Sequence, residues 1–177
     1  MANALARTGV AGTAIAAVLL GANALSGCAS GAMTTDEFRA QSAGLGNIEN
    51  IEVNRPLRDV ATTFRERASA CLQDVRTTTV SGPTTRMSMR KLQYHETVVV
   101  TDGKVELAVQ AFLESPLKLY QEPANGAYVL MARASPINGG RTRVEIAIAG
   151  PTFSWGSLRT AVQGWAAGTS TACPDLP

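Results

Sequence analysis

Three cysteines, one histidine and a scatter of carboxylates are the residues of this 177-residue chain with the chemistry to act on another molecule. Cys28 ends the tetrad Leu25-Ser26-Gly27-Cys28, behind an uncharged run of small and apolar residues. A thiol is a nucleophile that can accept a group, and Ser26 and Gly27 are small enough for a peptidase to grip the backbone just before it. Cys71 and Cys173 are the remaining thiols, and His95 is the single histidine. A Ser-His-Asp arrangement drawn from His95 with Glu96 or Asp102 finds neither a nucleophile elbow nor an oxyanion loop. One histidine among dispersed carboxylates makes no metal-ligand set. Glu106, Glu114, Glu122 and Glu145 fall on different segments; a glycosidase-like pair is one reading of them, and the charged outer face of a sheet is the preferred one. Gly139-Gly140 reads as a turn rather than a phosphate cradle. The expectation is a chain without catalytic residues, metal or cofactor.

Residues 1–27 have the three parts of an export signal. Arg7 and the amino terminus supply positive charge, Val10 to Leu25 is uncharged and apolar, and Ser26-Gly27 follows. A membrane-spanning helix needs about 20 strongly apolar residues, whereas this run is shorter and contains Gly12, Gly21 and Asn23. Leu25-Ser26-Gly27-Cys28 resembles the lipobox of bacterial lipoproteins. The resemblance implies cleavage between Gly27 and Cys28, a diacylglyceryl group carrying palmitate-like chains on the Cys28 thiol, and often an acylated Cys28 amine. Two or three acyl chains anchor stably where one does not. Lipoproteins retained at an inner membrane carry Asp after the cysteine, and Ala29 stands there. In a host with two membranes the resemblance therefore implies the periplasmic face of the outer membrane. The membrane, held through Cys28, is the first expected partner, and an envelope protein is the second.

Residues 28–177 are enough for one domain with a sizeable core. Without Arg7, 15 basic and 14 acidic side chains remain, so the balance gives no reason to expect nucleic acid as a partner. With Cys28 given to lipid, Cys71 and Cys173 form an even pair in an oxidising compartment, which reads as one disulfide. Two buried free thiols are the alternative, and two cysteines with no nearby histidine are a poor metal set.

The elements that must position these residues follow from spacing. Residues 28–47 are rich in Ala, Gly, Ser and Thr and read as a lipidated tether, with one or two helical turns suggested by the capping-box spacing of Thr34 and Glu37; packing of Phe38 and Leu45 on the domain is the alternative. The domain then spans 48–177. Ile51 and Val53 alternate with polar neighbours as a half-buried strand. Pro56 opens a helix whose apolar positions Leu57, Val60, Ala61, Phe64, Ala68, Cys71 and Leu72 keep 3,4-spacing. Strands are expected over Val75–Val80 and Lys91–Thr101, returning through Asp102-Gly103 along Val105, Leu107 and Val109. A second hairpin is expected between Leu117–Gln121 and Tyr128–Ala134, then a strand through Val144, Ile146 and Ile148. Leu158, Ala161, Val162 and Trp165 give a closing helix ended by Gly168.

This predicts an α+β domain, an antiparallel sheet of six to seven strands with two helices on one face. The order loosely resembles helix-grip domains, which occur in a lipoprotein of the outer-membrane barrel-assembly machinery and in lipid-carrying START-like proteins. Two functions follow from that resemblance: a non-enzymatic binding or envelope-assembly module, which is preferred, and a carrier or sensor of a hydrophobic ligand. A hydrolase of envelope glycans or lipids is the third alternative. Arg86, Arg90, Lys91, Arg133, Arg141 and Arg143 would supply a basic patch for lipid headgroups or anionic glycans, against a plain solvated sheet face. Trp155, in the loop before the last helix, is the candidate partner contact, against a place in the core.

Overall fold

The computed structural model describes residues 33–73, 75–82, 85–114, 126–150 and 155–176. The chain begins with a helix, α1 (Thr35–Gly44), followed by β1 (Ile48–Val53) and α2 (Leu57–Cys71). Five strands come next: β2 (Val75–Gly82), β3 (Thr85–Thr101), β4 (Lys104–Glu114), β5 (Ala127–Ile137) and β6 (Arg141–Ile148). The chain closes with α3 (Gly156–Ala167). The α+β class is as the sequence predicts. The strands form one antiparallel sheet in the order β1-β6-β5-β4-β3-β2. The amino-terminal strand thus lies at one edge, beside the last strand.

Alternation divides the sheet into two faces. Val105, Leu107 and Val109 of β4, Leu130, Ala132 and Ala134 of β5, and Val144, Ile146 and Ile148 of β6 turn to one side, where α2 and α3 cover them. The α2 stripe is the one its spacing predicts, with Val60, Ala61, Phe64, Ala68 and Cys71 buried. From α3 come Leu158, Val162 and Trp165. Trp165, Phe64, Leu107, Leu130, Ile146 and Leu158 are fully buried and fill the space between helices and sheet. The Trp165 indole N–H, which would be costly to bury unpaired, donates to the Ala172 carbonyl at 3.0 Å.

One expectation is corrected. Residues 35–44, assigned to the tether, form a helix packed on the opposite face of the sheet, so the described residues hold three helices and both faces of the sheet carry one or more. The capping box does nucleate this helix: the Glu37 amide donates to the Thr34 hydroxyl, and the Glu37 carboxylate accepts from the Thr34 amide at 2.7 Å. Its Phe38 is buried against Met131 and Ala147, which alternate with the core residues of β5 and β6. Of the hairpin expected between Leu117–Gln121 and Tyr128–Ala134, the first strand lies outside the described residues, and the second is part of β5. Strand β5 pairs with β4 on one side (Leu107↔Ala132, Val109↔Leu130) and β6 on the other (Ala132↔Ile146). Pairing β4 with β5 brings two inward apolar rows into line.

Arg55, between β1 and α2, joins the layers. One guanidinium nitrogen donates to the Trp165 and Ala166 carbonyls at 2.9 and 3.1 Å, and the other to the Thr63 hydroxyl at 3.0 Å. Arg55→Ala is expected to lower unfolding stability by about 2 kcal/mol, since hydrogen bonds to a charged group are worth roughly 1.5–3 kcal/mol. Arg58→Ala, whose side chain is 88% exposed, should change it by less than about 0.5 kcal/mol. Urea titrations with unchanged slope would check both.

Candidate functional site

The lipobox residues Leu25, Ser26, Gly27 and Cys28 lie outside the described residues, which begin five positions after the cysteine. Cys71 and Cys173, separated by 102 residues, are brought to disulfide distance with their Cα atoms 5.2 Å apart. Cys71 ends α2, and Cys173 lies in the tail after α3, so the pair clasps the two helices that cover the core. This matches the sequence expectation that both helices share a face.

The other candidates separate. His95 is exposed on β3, opposite Gln110 of β4 on the face away from α2 and α3. Trp155 is half-buried at the amino-terminal end of α3 and packs against the core. Its ring meets Tyr94 edge-on, with centroids 6.2 Å apart and planes at 85°, so the residue expected as a partner contact spends much of its surface inside the domain. Glu122 falls outside the described residues. Of the candidate basic patch, Arg133, Arg141 and Arg143 are each paired with carboxylates, and the side chains of Arg86, Arg90 and Lys91 lie outside what the structure describes.

What the structure does bring together is a row across the outer face that sequence reasoning missed. Glu106 of β4, Arg133 of β5 and Glu145 of β6 are consecutive partners in the sheet register. Arg133 donates to Glu106 at 2.7 Å. From above, α1 closes the row: Asp36 accepts from Arg133 at 2.9 Å, and Arg39 grips both oxygens of Glu145. The hydrogen bond from Arg133 holds the Asp36 carboxyl below its ordinary range, and Arg39 does the same to Glu145 against the opposing effect of burial. A retaining or inverting glycosidase needs one carboxyl that keeps its proton near neutrality. Glu145 is held ionised by Arg39, and it and Glu106 are bound into the row that fastens α1. A readable trace existed: Phe38, Ser42 and Leu45 repeat at i, i+4 and i+7 just after the capping box.

Beside the row, α1 and the sheet enclose a groove of about 190 Å³ lined by Met33, Phe38, Leu45, Gln110, Tyr128 and Ile148 among others. An apolar cavity of roughly 150 Å³ accepts a benzene, so the groove suits an apolar group of that size. Among the described residues no group of three or more His, Cys, Asp or Glu side chains could hold a metal ion.

The pH dependence of α1 docking follows from the two lowered carboxyls. Asp36 faces Arg133, Arg39 and Lys104; Glu145 faces Arg39 and Arg133. Because both folded values lie below the ordinary ones, the docking they support is complete above the usual carboxylate range and is lost as pH falls through the depressed values. In Arg39→Gln, the Glu145 carboxyl carbon shift should titrate at higher pH than in the parent chain, and the Phe38 amide should lose its native shift at correspondingly higher pH.

No family model matches the chain, and no curated protein matches it. A solved structure of an uncharacterized protein from Rhizobium leguminosarum is 11% identical, with 69% of this chain and 90% of that chain covered at a TM-score of 0.26. A similarity at that level bears on neither the fold nor the function of this chain.

Proposed function

We propose that this chain is a bacterial lipoprotein, cleaved before Cys28, anchored through acyl chains on that cysteine, and acting as a non-enzymatic binding or envelope-assembly module. The observation that carries the reading is the tetrad Leu25-Ser26-Gly27-Cys28 directly behind an uncharged apolar run. Among the described residues no helix is long and apolar enough to cross a membrane, and attachment is assigned to lipid on Cys28. With Ala29 next, the destination in a two-membrane host is the periplasmic face of the outer membrane. The pair Cys71 and Cys173, at disulfide distance, suits an oxidising compartment of that kind.

The domain is read as helix-grip-like, since a strand and helix precede the consecutive strands and a helix ends the order. A binding module is preferred to a ligand carrier because Trp165, Leu158 and Val162 fill the place between sheet and α3 where a carrier would hold its cargo. It is preferred to a hydrolase because the carboxylates that come together are consumed in ion pairs. Val99 and Val100, 49% and 44% exposed near the β3–β4 turn, are apolar positions available to a partner.

Mass spectrometry of the mature chain purified from membranes should find diacylglyceryl-Cys28 at the amino terminus. Cys28→Ser should leave the precursor uncleaved and without lipid. An unmodified Cys28 in the wild-type chain would overturn the anchor. Photo-crosslinkers at Val99 and Val100 in intact cells should capture one reproducible envelope protein; repeated blanks at both positions would remove the assembly role.

A further inference from the structure

We infer that α1 is a detachable strap, which undocks from the sheet while the rest of the domain stays folded and thereby lengthens the connection between anchor and domain. The consequence for reach rests on the lipid-anchored reading; the undocking itself does not.

The first ground is how little holds the helix. Phe38 and Ser42 are its buried residues. Phe38 belongs to a small cluster with Met131 and Ala147, flanked by Ile48, Tyr128 and Ala149, which is separate from the main core. The main core closes among α2, α3 and the inner sheet face without a residue of α1. Among the described residues its polar ties to the sheet are the Ser42 hydroxyl to the Ile148 carbonyl at 3.2 Å, and the ion pairs of Asp36 and Arg39. Asp36 is 81% exposed, so its pair is open to solvent and salt. The Arg39–Glu145 pair is part-buried and the Ser42 bond is buried; it is the small number of buried apolar contacts that marks a segment opening at lower cost than the whole.

The second ground is the root of the strap. Gly46 has φ +70 with open space where a side chain would be. Just beyond it, the Asn47 carbonyl accepts from the Ile148 amide, and the Asn47 side chain donates to the Gly150 carbonyl at 2.6 Å. The β1–β6 pairing therefore starts after the bend, and α1 can leave without unzipping it.

The third ground is position, since α1 is the first described element after the proposed anchor. When docked, residues 29–33 separate Cys28 from the helix cap, a fully extended reach of about 17 Å. When released, residues 29–47 separate it from β1, a reach of about 65 Å. The same chain would work as a short tether or a long one.

Trypsin cleavage after Arg39 in the full chain in lipid vesicles tests this, with fragments identified by mass. The expected result is cleavage at Arg39 whose rate depends only weakly on urea, leaving a product that still melts cooperatively. Cleavage with the steep urea dependence of global unfolding would overturn the strap. Phe38→Ala should speed this cut at least tenfold, and Asp36→Asn, an exposed change that leaves the core untouched, should speed it by a smaller factor. Equal rates in all three chains would also overturn it. The mass of the amino-terminal fragment reports lipid on Cys28 separately, so loss of the anchor reading and loss of the strap reading are distinguishable.

Discussion

The guanidinium of Arg55 is the interaction on which the layered arrangement depends. It sits where β1 hands over to α2, and its donors reach the last carbonyls of α3 as well as the Asp59 carbonyl and Thr63 hydroxyl in the first turns of α2. The last turn of α3 contains no basic residue of its own. Arg55 supplies the positive charge that a helix carboxyl end favours, from 110 residues away in sequence. Its own carbonyl accepts the buried Thr142 hydroxyl at 2.7 Å, which fixes the start of β6 to the same point. Gly168 completes the contact. It ends α3 with φ +70, and a Cβ there would stand 3.1 Å from the guanidinium, so glycine satisfies both backbone and packing.

Around that point the two faces of the sheet are stabilised by different physics. The inner face buries large apolar side chains against two helices, and the pair Cys71 and Cys173 holds the outer ends of those helices together. The outer face is covered partly, by a helix that contributes one buried aromatic ring and a set of ion pairs. Exposed ion pairs are worth little individually. Their effect here is to set the angle and register of α1, because Asp36 and Arg39 engage adjacent strands and orient Phe38 between Met131 and Ala147. Charge specifies the position, and burial of the ring supplies most of the attraction.

Sequence periodicity was enough for α2, α3 and the Asp102-Gly103 turn, since each is a local pattern with an apolar stripe or a turn dipeptide behind it. The Cys71–Cys173 pairing was expected once Cys28 of the three cysteines was set aside for the proposed lipid, and the structure brings these two to disulfide distance. Periodicity was weaker for α1, where the capping box and the spacing of Phe38, Ser42 and Leu45 are the traces of a helix and no broad apolar stripe accompanies them. It failed for the outer row. Glu106, Arg133 and Glu145 lie on three strands, and only the register shows them to be neighbours. The pairing of β4 with β5 is a related case. Adjacency in sequence favours a short hairpin, while the choice between partners is made by which inward rows meet, a tertiary property. The proposed lipobox tetrad is the opposite case: it is a linear motif read in the sequence, and it lies outside the described residues.

That contrast explains why the region between residues 28 and 47 matters. The anchor is assigned by a linear motif and the domain by a packed core, and α1 belongs fully to neither. A tether under no constraint would gain by staying polar and unstructured. This one instead carries a complete capping box, a buried phenylalanine and two charges matched to partners on separate strands. Those features lower the free energy of a docked state and hold the domain within a few residues of Cys28. An anchored module whose partner lies in the same membrane benefits from that proximity, because a short connection raises the effective concentration of one for the other. A partner farther away requires the longer connection. The small burial under α1 makes its release less costly than unfolding the whole domain, and a partner would choose between the two states only by the difference in its affinity for them.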